Sequence, residues 1–132
     1  MWFWIIFFLV AGALAYVRLA PVNEDRVHVP ISANEDKDGK GYCLRVAIAF
    51  PGLLKRIDEE MRALPRTTVI AGSLSEQRIT YMTRSKVFAF PDFTTVQEVD
   101  DQVRLYARLR FGRSDMGVNK ARLKHVLRKA IG

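Results

Sequence analysis

The first seventeen positions, Met1 to Val17, form one apolar block without a charge. No helical angle gives this block a polar face, so a buried helix of a soluble core does not fit it. A helix of that length rises about 25 Å, near the shortest that crosses a hydrocarbon core of about 30 Å. Trp2, Trp4 and Tyr16 stand near its ends, as interfacial anchors do, and Arg18 can snorkel at the exit. Ala13-Leu14-Ala15 would suit a small-x-small cleavage site, but a basic n-region is missing. The expectation is an uncleaved anchor over residues 1–17.

Residues 18–41 change character. They hold Pro21, Pro30, Gly39 and Gly41 and a polar run from Ala33 to Lys40. So little apolar content reads as a tether. Its acids lack the alternating spacing and closing Glu of a calcium loop.

From Tyr42 to the end, residues 42–132, the pattern is that of a folded domain. Leu44, Val46, Ile48 and Phe50 alternate with Cys43, Arg45, Ala47 and Ala49, which predicts a strand. Leu54, Ile57, Met61 and Leu64 recur at helical spacing before Pro65. Four strand-like runs follow, Thr67–Leu74, Arg78–Phe90, Phe93–Val99 and Gln102–Phe111, joined by short turns that imply an antiparallel meander. A last helix carries Leu123, Val126, Leu127, Ala130 and Ile131 on one face, with Asn119 as its expected N-cap. The predicted class is α+β, an antiparallel sheet in β-α-β-β-β-β-α order, similar to the helix-grip arrangement although shorter.

Charge sharpens the picture. The net charge is +7, and residues 102–132 hold nine basic residues against one acid, Asp115. The excess is therefore a local basic surface. Cys43, the single cysteine, sits in an apolar strand and reads as a buried thiol.

The last strand carries the most information. Val103, Leu105, Ala107, Leu109 and Phe111 point to one side, and Arg104, Tyr106, Arg108 and Arg110 to the other. Three arginines on one strand face repel unless water, carboxylates or an anion separates them. The next turn, Phe111 to Arg122, contains Gly112, Arg113, Ser114, Asp115, Gly117 and Asn119. Such residues make a tight strand-to-helix turn, and the helix N-terminus could hold an anion with flanking arginines. A purely structural turn is the simpler reading. The candidate anion or partner surface comprises Arg84, Arg104, Arg108, Arg110, Arg113, Ser114, Asp115, Asn119 and Arg122.

This C-terminal stretch resembles the family catalogued as domain of unknown function 1499, whose hallmark runs R-x-R-x-G-x-S-D-x-G-V-N-x-x-R. Arg108, Arg110, Gly112, Ser114, Asp115, Gly117, Val118, Asn119 and Arg122 stand in that register. Tyr81 to Asp92 is similar to the family's central R-S-x-x-x-x-P-D segment, and Tyr16 to Pro21 looks like membrane-anchored bacterial members. Ala107 and Leu109 depart from serines often found there. The resemblance implies a fold and a membrane setting, and no chemistry.

Catalytic groups are sparse. His28 lies in the tether and His125 on the basic last helix, both expected at the surface. No His, Cys and carboxylate cluster has metal spacing, and neither metal nor cofactor is expected. Asp92 and Asp115 are expected to partner Arg84, Arg108 or Arg110. Ile79, Tyr81, Val87, Leu105 and Phe111 either line an apolar cavity or fill the core. The expectation is a membrane-anchored accessory or binding protein, such as a small subunit of a membrane protein complex. Membrane lipids with anionic headgroups are its expected partners, and nucleic acid is not. The alternative is a hydrolase or lipid-modifying enzyme built on an Arg/Asp cluster. Arg18 and Arg26 follow the apolar block and nothing basic precedes it, which favours a cytoplasmic domain. The resemblance favours the periplasmic side of a bacterial inner membrane, and the expectation leans that way.

Overall fold

The computed structural model describes residues 1–19, 21–86, 89–110 and 117–132. Helix α1, Trp2–Leu19, buries none of its residues. It is long and apolar enough to cross a membrane. A short helix α2, Glu24–Val27, follows, and the Asn23 side chain accepts a hydrogen bond from the Asp25 amide at 3.1 Å.

The domain is a six-stranded antiparallel sheet: β1 Lys37–Gly39, β2 Tyr42–Ile48, β3 Thr67–Ser73, β4 Arg78–Arg84, β5 Pro91–Val99 and β6 Gln102–Leu109. Its spatial order is β1-β2-β6-β5-β4-β3. The meander of the last four strands is completed by β2, which pairs with β6. Helices α3, Leu53–Ala63, and α4, Val118–Ile131, pack on one face. The alternation of β6 decides which face. Val103, Leu105 and Ala107 are fully buried against Leu53, Ile57 and Met61 of α3 and Leu123, Val126 and Ala130 of α4. Ile79 and Tyr81 belong to this same packed core, while Val87 and Phe111 lie outside the described residues.

One carboxylate enters the core with its bonds satisfied. Asp58 of α3 accepts from the Tyr81 hydroxyl at 2.6 Å and from Arg62 Nε at 2.9 and 3.0 Å. Burial, reinforced by the Asp58 carboxylate, pushes the Tyr81 phenol well above its usual range.

The β5–β6 hairpin closes through Asp100 and Asp101, at φ 52° and 60°, between the paired Val99 and Gln102. Two left-handed residues match the twist of antiparallel strands, and Asp tolerates that region. Strand β4 is shorter than its hydrophobic run suggests. It ends at Arg84, because Ser85 Oγ accepts from the Phe90 amide at 2.9 Å and the Ser85 amide donates to Phe90 O at 3.0 Å. Asn119 is not the N-cap of α4. Gly117 holds that position at φ 82°, and Asn119 lies inside the first turn, 1% exposed.

Candidate functional site: an arginine face beneath the N-terminal segment

Register places Arg104, Tyr106 and Arg108 of β6 on the sheet face opposite the two helices, beside Thr95 and Gln97 of β5 and Leu44 of β2. The residues read as a tether cover this face. Arg104, 6% exposed, donates from Nη1 to Ile31 O at 2.7 Å, with Gln102 Oε1 at 3.1 Å and the Asp100 carboxylate at 3.6 Å. Arg108 donates from Nη1 to Thr95 Oγ1 at 2.9 Å and from Nη2 to Val27 O. Its guanidinium also lies 4.8 Å from the centre of the Tyr106 ring. Arg110 donates to Pro21 O at 2.7 Å. Gln97 Oε1 accepts from the Ile31 amide at 2.6 Å.

The arginines are thus held apart by backbone carbonyl oxygens. Each carbonyl offers partial negative charge without a desolvated carboxylate. Burial pushes the Arg108 guanidinium down to about 10, so it stays protonated at neutral pH. The segment behaves as a strap. Successive contacts at Pro21, Val27 and Ile31 run along β6 from Arg110 back to Arg104.

His28 fastens the middle of the strap. Its Nδ1 lies 2.7 Å from Thr80 Oγ1 and its Nε2 lies 2.8 Å from Glu76 Oε1, with the side chain 12% exposed. Its place in a polar segment points to a surface histidine, whereas the sheet leaves the side chain largely covered. The hydroxyl partner, Thr80, is fully buried and also bonds Thr95 Oγ1 at 2.8 Å, so it presents no nucleophile to solvent.

The remaining expected site residues lie elsewhere. Asp92, Asn119 and Arg122 meet on the helix-covered side. Arg122 lies 3.8 Å from the Asp92 carboxylate and donates to Asn119 Oδ1. Among the described residues, the ion pair given to Asp92 is with Arg122 of α4. Arg113, Ser114 and Asp115 fall outside the described residues. The candidate surface is therefore divided by the sheet, with Arg104 and Arg108 on one side and Asn119 and Arg122 on the other. Lys124 and Lys129 do not extend the arginine face, since α4 covers the opposite one.

Arg84 stands at the edge where the anchor enters. It donates from Nη1 to Ala89 O at 2.8 Å and from Nη2 to Arg18 O at 3.0 Å. Residues 21–130 match the family model described as "Protein of unknown function (DUF1499)". The chain belongs to this family. No curated protein matches it. The DUF1499 match begins at residue 21, at the start of the strap, so the family unit includes the segment that the composition set apart from the domain.

Among the described residues of this DUF1499 chain, no group of three or more His, Cys, Asp or Glu side chains is placed to hold a metal. What the arginine face can do is bind carbonyl or phosphate oxygens, and here its oxygens come from the chain itself. Sequence alone does not mark Glu76, Thr80 or Gln97, and it places His28 at the surface. The only signal for them was the unexplained crowd of arginines on β6, which required some partner on that face.

Proposed function

We propose that this chain is a membrane-anchored accessory protein, a small domain that binds at the membrane surface and serves as a subunit of a membrane protein complex. The observation that supports this reading is the double hold at the anchor exit. Arg84 binds Arg18 O and Arg110 binds Pro21 O, so the domain is seated against the end of α1 in place of swinging on a free linker. A seated domain presents a constant surface to whatever lies beside it in the membrane, which suits an assembly role. The division of Arg/Asp groups by the sheet weighs against a hydrolytic or lipid-modifying site made from them. Its setting is a bacterial inner membrane, crossed once, with the domain on the periplasmic side as the family resemblance implies.

The test has two arms. Alkaline carbonate extraction should leave the full chain in the membrane fraction, and release into the supernatant would remove the anchor from the proposal. Purification from native membranes in mild detergent should then recover the chain with a stoichiometric membrane protein. Recovery as a monomer from every detergent tried would overturn the subunit role. A phosphatase and a fluorescent-protein reporter at the C-terminus report the side. Phosphatase activity without fluorescence supports the periplasm, and the reverse places the domain in the cytoplasm.

A further inference from the structure

The start of β3, the end of β4 and residues 85, 86 and 89 enclose a groove of about 470 Å³ lined by Arg66, Thr68, Met82, Arg84, Ser85 and Lys86, among others. Register puts it at the anchor end of the sheet, where Thr67, Thr83, Asp92 and Leu109 lie abreast. The hydrogen bond from Arg84 to Arg18 O ties this groove to the last turn of α1.

Three cations line the groove, and among the described residues no carboxylate neutralises them. Arg84 spends its donors on the carbonyls of Ala89 and Arg18, and Arg66 donates from Nε to Arg84 O at 3.1 Å. Among the described residues, no ion pair involves Arg66, Arg84 or Lys86, and no Asp or Glu lines the groove. Arg18, which has no ion pair among the described residues, adds a fourth positive charge beside it. At the opposite end of the sheet the acids Glu76, Glu98, Asp100 and Asp101 outnumber the cations Arg78 and Arg104, with which Glu76 and Asp100 pair. Charge is thus polarised along the anchor-to-tip direction. The cations gather where an α1 that crosses the bilayer would deliver them to the headgroup layer.

We infer that this groove is a binding site for the phosphate of an anionic phospholipid in the leaflet from which the domain emerges. Arg66 and Lys86 supply direct charge, Arg84 holds the floor in place, and the Thr68 and Ser85 positions sit at the rim, exposed. The apolar wall from Met82 and Ala89 accommodates the glycerol and first methylenes that accompany a lipid phosphate. These would have no counterpart in inorganic phosphate. The inference rests on the membrane-anchored reading and names the ligand that such an anchor brings within reach.

The experiment uses the full chain in neutral detergent micelles, titrated with short-chain phosphatidylglycerol, short-chain phosphatidylcholine or inorganic phosphate, and followed by backbone amide shifts. Phosphatidylglycerol should shift the amides of Thr67, Thr68 and Ser85 in a saturable manner, while phosphatidylcholine leaves them in place. The double variant Arg66→Gln with Lys86→Gln should weaken the response by at least about tenfold, at roughly fivefold per exposed cation. Lys124→Gln with Lys129→Gln, on the helix-covered side, should leave it unchanged. Unperturbed amide positions in β5 and β6 show that each variant is folded. Equal shifts with both lipids, an undiminished response in the double variant, or equal shifts with inorganic phosphate would overturn the assignment. A chain that survives carbonate extraction yet shows no phosphatidylglycerol preference loses this groove alone. A chain released by carbonate loses the anchored reading on which it rests.

Discussion

Arg104 and Ile31 lie seventy-three residues apart in the chain, and the guanidinium of one holds the carbonyl oxygen of the other at 2.7 Å. That bond is buried. It converts a charge that would repel its neighbours into the fixing point of the strap. A buried cation is tolerable only when its donors are used, and here they go to the Ile31 carbonyl and the side chains of Gln102 and Asp100.

Arg104→Ala should therefore lower stability by about 2–3 kcal/mol, since it removes a charge-assisted bond and strands the Ile31 carbonyl. Arg128→Ala, at an exposed position of α4, should stay within about 0.5 kcal/mol of the parent. Chemical denaturation of the full chain in mild detergent measures both. Equal midpoints for the two variants would show that the strap contributes nothing to the fold.

His28→Ala should loosen the strap without melting the domain. The bonds to Thr80 and Glu76 disappear, and amide exchange at His28 and Ile31 should quicken roughly fivefold, equivalent to about 1 kcal/mol of local opening. Amides of β6 facing β5 should keep their rates. Uniform acceleration across the sheet would instead make His28 a support of the whole fold.

Gly72→Ala should be among the most damaging single changes. Gly72 has φ 84°, and an added Cβ would lie 2.0 Å from Arg78 O and 2.6 Å from the His28 ring. A loss of about 2–3 kcal/mol is expected from backbone strain and displacement together. Gly12→Ala in α1, with nothing within 4 Å of the new atom, should not change the domain's thermal midpoint. A tolerated Gly72→Ala would mean that β3 can relax away from β4 at its register shift between Val69 and Ala71.

Tyr81 gives the fold a sensitivity to alkali. Its phenol is raised above the ordinary value of 10.0 by burial, with the Asp58 carboxylate adding to the effect. The folded protein then binds the phenolic proton more tightly than the unfolded chain. Stability from this group is fully present below pH 10 and declines as pH rises beyond it. Tyr81→Phe should lower stability at pH 7 by about 1–2 kcal/mol through the lost bond to Asp58. It should also show a shallower decline above pH 10. Parallel alkaline limbs in parent and variant would contradict the assignment.

The packed side of the sheet was open to reading from side chains, because burial there is written in them. The β6 alternation and the α3 spacing of Leu54, Ile57 and Met61 point to the core that is observed. The strap could not be read in the same way. Its strongest holds, at Pro21, Val27 and Ile31, are carbonyl oxygens, which every residue possesses. Composition therefore described a solvated linker where the backbone makes a lid. Asn119 misled for a related reason. A residue able to cap a helix sits one step inside it, where its side chain faces Arg122. At the candidate surface the arginines were visible and their neighbours were not. Strand alternation tells which face a residue occupies, but not what crosses that face from the other end of the chain.

The strap also has a mechanical meaning. It is continuous with α1, and it meets the sheet first at Arg84 and Arg110. Tension on α1, from a shift in bilayer thickness or from a neighbour dragging it sideways, enters the domain through those two carbonyl bonds. It reaches the Arg108 contact and then the Arg104 contact only after the earlier ones yield. Isolated side-chain contacts of this kind give way before a strand ladder does, so the load is absorbed while the sheet remains whole. A force applied between the N-terminus and the C-terminus would then lengthen the chain in two stages. The first stage releases the strap, and the second, at higher force, unravels the domain.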